Sequence, residues 1–225
     1  MSWILAAAML AATPEPQNLE FGKAVAAAET ELRPGSLIFS RGDCLAVKVF
    51  TVSSYTHVGT VIERDGHFEV YDSNPGTGTR KLTFPEYLAA QGNAPLYIYQ
   101  PVRPWTESER TRITSHLERE LGRPYAITHH VTGEPCEGVH CAEYATQALM
   151  AGDLLTAKKP ARVSPASLRE GVVRDDLYRH VATIQVLPER IRPPEGAGWF
   201  GRMWFDTRQC SGTCYRKMRG WFCCK

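Results

Sequence analysis

A cysteine becomes a strong nucleophile once its proton is removed, and the start of a helix is a place where that removal is favoured. Cys141 stands at such a place. In Gly138-Val139-His140-Cys141-Ala142-Glu143-Tyr144-Ala145 a glycine-marked loop runs into a helix of small residues, with the thiol at the junction. Exposed backbone amides and the helix macrodipole there favour thiolate over thiol. A buried structural cysteine carries the same local signature, because free cysteines pack as small hydrophobes. The helical pattern runs to Met150 and stops at Gly152, the C′ position. Cys141, Ala145, Ala148, Leu149 and Gly152 follow i, i+4, i+7, i+8 spacing, so one small-residue face is predicted to lie close against a sheet.

A cysteine nucleophile needs a base, and the base needs a group that orients it. The candidates for the base are His57, His67, His116, His129, His130, His140 and His180. His57 begins a β-rich run beside Ser53, Ser54 and Gly59, where a sheet end can present an imidazole. His67 falls at a hairpin tip and His116 in a polar helix, both solvated settings. The orienting group follows from register. Asp65-Gly66 between Thr56–Glu63 and His67–Asp72 is a hairpin signal, with Arg64 opposite His67 and paired positions summing to 131. His57 then shares a face with Gly59, Val61, Val70 and Asp72, and Asp72 lies diagonally within reach of the imidazole. Glu69 has the wrong parity. A turn-forming surface carboxylate at Asp72-Ser73-Asn74-Pro75-Gly76 is the competing reading. His129, His130, Cys136, His140 and Cys141 are ligand types that zinc accepts, but their spacing matches no standard zinc motif and no Cys-x-x-Cys pair is present.

The elements that must position these groups read as α+β. Leu19–Leu32 is an amphipathic helix ended by Arg33-Pro34-Gly35, and Ser36–Phe39 a short buried strand. Val47–Val52 fits helix or strand. After the hairpin come a loop at Pro75–Gly78, a short helix at Phe84–Ala90 and a strand at Leu96–Val102. Thr106–Leu121 carries helix-start signals, as does Val163–Leu168, and His180–Leu187 is a final strand. With 225 residues the chain is long enough for one well-cored domain plus an appendage. A net charge of +2 does not imply a nucleic-acid partner, and no nucleic-acid-binding motif is present.

Both ends differ from the middle. Residues 1–13 form a short apolar run ending in small residues, which predicts a signal peptide and an exported, periplasmic or secreted protein. The catalytic domain is then predicted over 18–189 and a basic, aromatic, Cys-rich extension over 190–225. Cys210, Cys214, Cys223 and Cys224 crowd that extension and read as disulfide partners in an oxidising compartment, with three pairings open. Arg202, Arg208, Arg216, Lys217, Arg219 and Lys225 interleaved with Trp204, Phe205, Trp221 and Phe222 suit an anionic membrane or cell-wall surface. A disulfide-stapled appendage packed on the domain fits the same composition.

Several of these segments together resemble a known family. Pro34-Gly35-Ser36-Leu37-Ile38-Phe39, Tyr55-Thr56-His57-Val58-Gly59-Thr60-Val61, Val70-Tyr71-Asp72 and His140-Cys141-Ala142-Glu143-Tyr144 look like the permuted NlpC-type papain-like cysteine hydrolases, the YiiX-like branch in particular, with lecithin:retinol acyltransferase a distant relative. Gly122-Arg123-Pro124-Tyr125 and Ser164-Pro165 with Leu168 match further pieces, so the likeness spans roughly residues 34–168. The order His, then polar residue, then Cys is the permuted one. The chain departs from the usual pattern at Ser36, Ala142 and Asp72, where an acidic residue, Ser and Glu are common. The resemblance implies an antiparallel sheet or half-barrel packed on a central Cys-bearing helix. It also implies Cys141 as nucleophile, His57 as base and then acid, and Asp72 as orienter, acting on a peptide, amide or acyl substrate without a cofactor. The Cys141 amide is an expected oxyanion donor, with Tyr55, Tyr125 and His140 as further oxyanion or substrate-binding candidates. A lipid esterase or acyltransferase, or an idle binding module with a working tail, are the alternatives.

Overall fold

The computed structural model describes residues 16–41, 55–132, 136–187, 198–200 and 203; only the backbone is described at His129 and Val131. In chain order the elements are β1 (Gln17–Leu19), α1 (Phe21–Glu31), β2 (Leu37–Ser40), β3 (His57–Arg64), β4 (His67–Asn74), β5 (Gly78–Thr83), α2 (Phe84–Gln91), β6 (Leu96–Pro101), α3 (Glu107–Arg119), α4 (Thr128–Thr132), α5 (Cys141–Ala151), α6 (Pro165–Arg174) and β7 (Tyr178–Val186). The expected leader, the Val47–Val52 segment and the tail cysteines lie outside the described residues.

The strands form one sheet in the order β1-β7-β6-β2-β3-β4-β5. Its neighbours are antiparallel except β1 and β7, which run parallel, so the sheet is mixed rather than purely antiparallel. The exception arises at the edge, where a three-residue strand not foreseen in the sequence lies beside β7 before the chain turns into α1. The sheet is covered on both faces, which explains why central β2 is buried at every position. On one face α1 and α2 bring Ala24, Ala28, Tyr87 and Leu88 against Ile38, Val61, Val70 and Ile98. On the other, α5 and α6 bring Ala145, Leu149 and Leu168 against Leu37, Phe39 and Val58, while α3 adds Ile113 and Leu117 against Ile62 and Tyr71.

The hairpin register is the one that the Asp65-Gly66 turn dictates. Both turn residues take positive φ, and the pairs run from Arg64↔His67 to Thr60↔Tyr71. Beyond Thr60 the two strands part: the preceding residues of β3 pair with β2, and β4 continues beside β5 through Asp72↔Arg80 to Asn74↔Gly78. The sheet therefore opens at the end where His57 and Asp72 sit.

Helix α5 is more central than a single small-residue face implies. From Cys141 to Leu149 its residues are buried except Gln147, and the Tyr144 hydroxyl donates to the Leu117 carbonyl at 2.5 Å. Gly152 follows its last residue as expected but with right-handed φ (−82°), and Asp153 takes the left-handed conformation instead (φ 58°). Glycine serves there for close packing, since a Cβ at Gly152 would stand 2.6 Å from Ile113 Cδ1.

Candidate active site

The site is built at the split end of the sheet. His57 is the first residue of β3, and alternation starts its side chain on the face covered by α2. Its ring stacks on Tyr87 at 6.2 Å between centroids, with 24° between the planes. The stack needs Gly59, because a Cβ there would lie 2.6 Å from Val70 Cγ1 and 3.1 Å from the Tyr87 hydroxyl. Cys141 arrives from the opposite face at the start of α5, and its thiol lies beside the His57 imidazole. Thiol and imidazole thus come from different layers and meet where β3 and β4 have separated.

Asp72 completes the set. Its side chain is fully buried, and His57 Nε2 donates to Asp72 Oδ2 at 2.8 Å, which leaves Nδ1 for the thiol. Arg80, opposite Asp72 on β5, donates from Nε to Oδ1 at 2.8 Å and from Nη2 to Oδ2 at 3.2 Å. A buried carboxylate with both oxygens satisfied holds the imidazole in one orientation. Burial works to raise the Asp72 pKa, but the bonds from His57 and Arg80 outweigh it and hold the carboxyl below its ordinary value. Burial pulls His57 down, yet the adjacent thiolate and carboxylate lift it to about 10. Burial likewise opposes ionisation of Cys141, while the His57 charge and the adjacent His140 and His57 imidazoles bring the thiol down to about 6.

The loop before Cys141 is tied to the same strands. Ser73 Oγ donates to the Val139 carbonyl at 2.7 Å, and Thr79 N donates to the Arg123 carbonyl at 2.9 Å. Val139 N in turn donates to the Pro124 carbonyl at 2.9 Å. His140 is the N-cap of α5; its Nδ1 accepts from Glu143 N at 3.4 Å and its Nε2 donates to the Ala161 carbonyl at 2.9 Å. It also lies beside the thiol, giving Cys141 a second imidazole neighbour.

The sequence candidates are thereby sorted. Cys141, His57, Asp72 and His140 converge. Tyr125 lines a narrow cleft against Cys141 together with Ile127, His130, His140, Ser164 and Pro165. Tyr55 packs in an aromatic cluster with Phe39 and Tyr97, with Arg41 and Arg169 over its ring at 5.1 and 5.4 Å. Of the weighed zinc constellation, the His130 and His140 rings meet edge to face at 5.2 Å, while Cys136 is exposed. Among the described residues no group of three or more His, Cys, Asp or Glu side chains is arranged to hold a metal. Arg80 and Tyr87 were not singled out from the sequence. The turn at Asn74–Gly78 carried the signal for Arg80, since pairing Asn74 with Gly78 puts position 80 opposite Asp72. Nothing local marks Tyr87 out.

No protein-family model matches the chain, and no curated protein matches it. Among solved structures it is similar to metalloprotein yiiX from Escherichia coli O157:H7, designated DUF1105. The match has a TM-score of 0.47 and 14% identity over 68% of this chain and 88% of that one, which is a distant structural relationship and no more.

Proposed function

We propose that the chain is a cysteine hydrolase of the permuted papain-like kind, cleaving an amide bond through a thioester intermediate. The observation that carries the reading is the convergence of the Cys141 thiol, the His57 imidazole and the buried Asp72 carboxylate at the split end of the sheet. In the resting site the proton belongs to His57, so Cys141 is held as thiolate. The thiolate attacks the carbonyl carbon, and the Cys141 backbone amide at the start of α5 stabilises the oxyanion. His57 gives its proton to the leaving amine as the C–N bond breaks. Neutral His57 then takes a proton from water, whose oxygen attacks the thioester; the acid departs and the thiolate–imidazolium pair returns. Asp72 remains ionised throughout and keeps the imidazole aligned. Cell-wall peptide is a fitting substrate class, in keeping with the predicted export.

A thiol-directed acyl probe tests this reading. Labelling at Cys141 is expected in the wild type and lost in His57→Ala, with turnover of peptidoglycan fragments but not phospholipids. Turnover of phospholipids alone points to an esterase, and turnover retained in Cys141→Ala removes the nucleophile assignment. Absence of labelling leaves the fold as a binding module. Alkylation against pH gives an independent check. Because the thiol is brought down to about 6, its reaction with iodoacetamide should rise through that pH, well below the range of a free thiol. Turnover should fall again near pH 10, where His57 loses the proton it gives to the leaving amine.

A further inference from the structure

Resting on the hydrolase reading, we propose that Arg80 is a positioning residue of the site, the fourth link in a buried chain of alternating charge running Cys141, His57, Asp72, Arg80. Its guanidinium holds both Asp72 oxygens, at 2.8 and 3.2 Å, from the position directly across the β4–β5 ladder. Asp72 itself has no exposed side-chain surface, and Arg80 retains 21%. A bidentate fork fixes the plane of the carboxylate as well as its place, so the oxygen offered to His57 Nε2 has one direction.

Charge balance assigns a second role. With thiolate and imidazolium formed, the four groups alternate minus, plus, minus, plus and sum to zero. Without Arg80 the same protonation state leaves a net negative charge in a buried site. Keeping the thiol protonated would then be the cheaper arrangement. A fixed positive charge makes each proton release in its field easier, so Arg80 draws down both the pH at which the thiolate forms and the pH at which His57 becomes neutral. The other ionisable groups facing the chain are Tyr87 from α2, Tyr144 and Glu143 from α5, and His140, which caps α5. Of these, Tyr87 and Tyr144 are held uncharged by burial, and neither replaces the charge of Arg80.

The test is alkylation of Cys141 by iodoacetamide across pH, read on the Cys141 peptide by mass spectrometry, alongside acyl-probe labelling. Arg80→Gln is expected to move the alkylation midpoint up by about one pH unit. Arg80→Lys keeps the charge but not the fork, so its midpoint should stay near the wild type while acyl-probe labelling falls several-fold. An unshifted midpoint in folded Arg80→Gln overturns the inference. If that variant does not fold, wild-type acyl-probe labelling in Arg80→Lys overturns it, and reduced labelling at an unchanged midpoint supports it. A wild-type midpoint already at the free-thiol range defeats the hydrolase reading together with this one. A low wild-type midpoint with an indifferent Arg80→Gln defeats this one alone.

Discussion

Two ion networks lie on the β3–β4–β5 sheet, and they are built on opposite terms. At the split end, His57, Asp72 and Arg80 form a chain around a carboxylate with no exposed surface. At the hairpin end, Arg64, Glu69, Lys81 and Glu118 surround the Tyr71 hydroxyl, with Arg64 44% and Glu118 32% exposed. The outer network is partly solvated; exposed pairs of this kind contribute about 0–1 kcal/mol each. The inner one carries a desolvation cost that hydrophobic residues of the same volume would avoid. A fold does not need the inner network for stability; what it does is keep the Asp72 carboxyl ionised and the His57 imidazole aligned beside a thiol.

Removing one member of each network breaks the comparison if the effects come out alike. Asp72→Ala leaves Arg80 and His57 facing a vacancy in a buried site and should cost about 3–5 kcal/mol in denaturant unfolding. Gly59→Ala tests the inner site without touching its charges. The added methyl meets Val70 and Tyr87, so a loss of about 1–3 kcal/mol is expected together with a fall in acyl-probe labelling as the His57 stack is displaced. Glu118→Gln keeps an acceptor for Tyr71 while deleting the outer charge, and should cost less than about 1 kcal/mol, a loss that shrinks further in high salt. Equal losses for Asp72→Ala and Glu118→Gln would erase the distinction.

The split between what the sequence revealed and what it hid follows physical lines. Wherever a local rule fixes geometry, the reading carried through. The Asp65-Gly66 turn sets the register, and parity alone puts Asp72 on the face of His57. Thr106 with Glu109 forms the capping box expected of a helix start, and Ser164-Pro165 opens α6. Structure created by distant partners was hidden. Gln17-Asn18-Leu19 is a strand only because β7 offers it an edge. Arg80 was hidden for another reason: Arg80-Lys81 has the composition of a solvated loop, although the local Asn74–Gly78 turn pairs Arg80 with Asp72. Tyr87 is an ordinary amphipathic-helix aromatic until the fold lays it beneath His57; its hydroxyl is buried without a hydrogen-bond partner among the described residues. The Gly152 stop was placed correctly for a different reason, since packing against Ile113 and not backbone handedness excludes a side chain there.

Strand β4 carries a consequence for how the site assembles. Successive residues point to opposite layers: Asp72 toward His57 and Ser73 toward the carbonyl of Val139, two residues before the thiol. A slip of one position would exchange the two faces, taking the carboxylate from the imidazole and the hydroxyl from the loop before Cys141 in the same event. The imidazole arm and the thiol arm share a single register, like two wards cut on one key. A misregistered molecule therefore loses both contacts, and correct pairing of β4 aligns both arms at once.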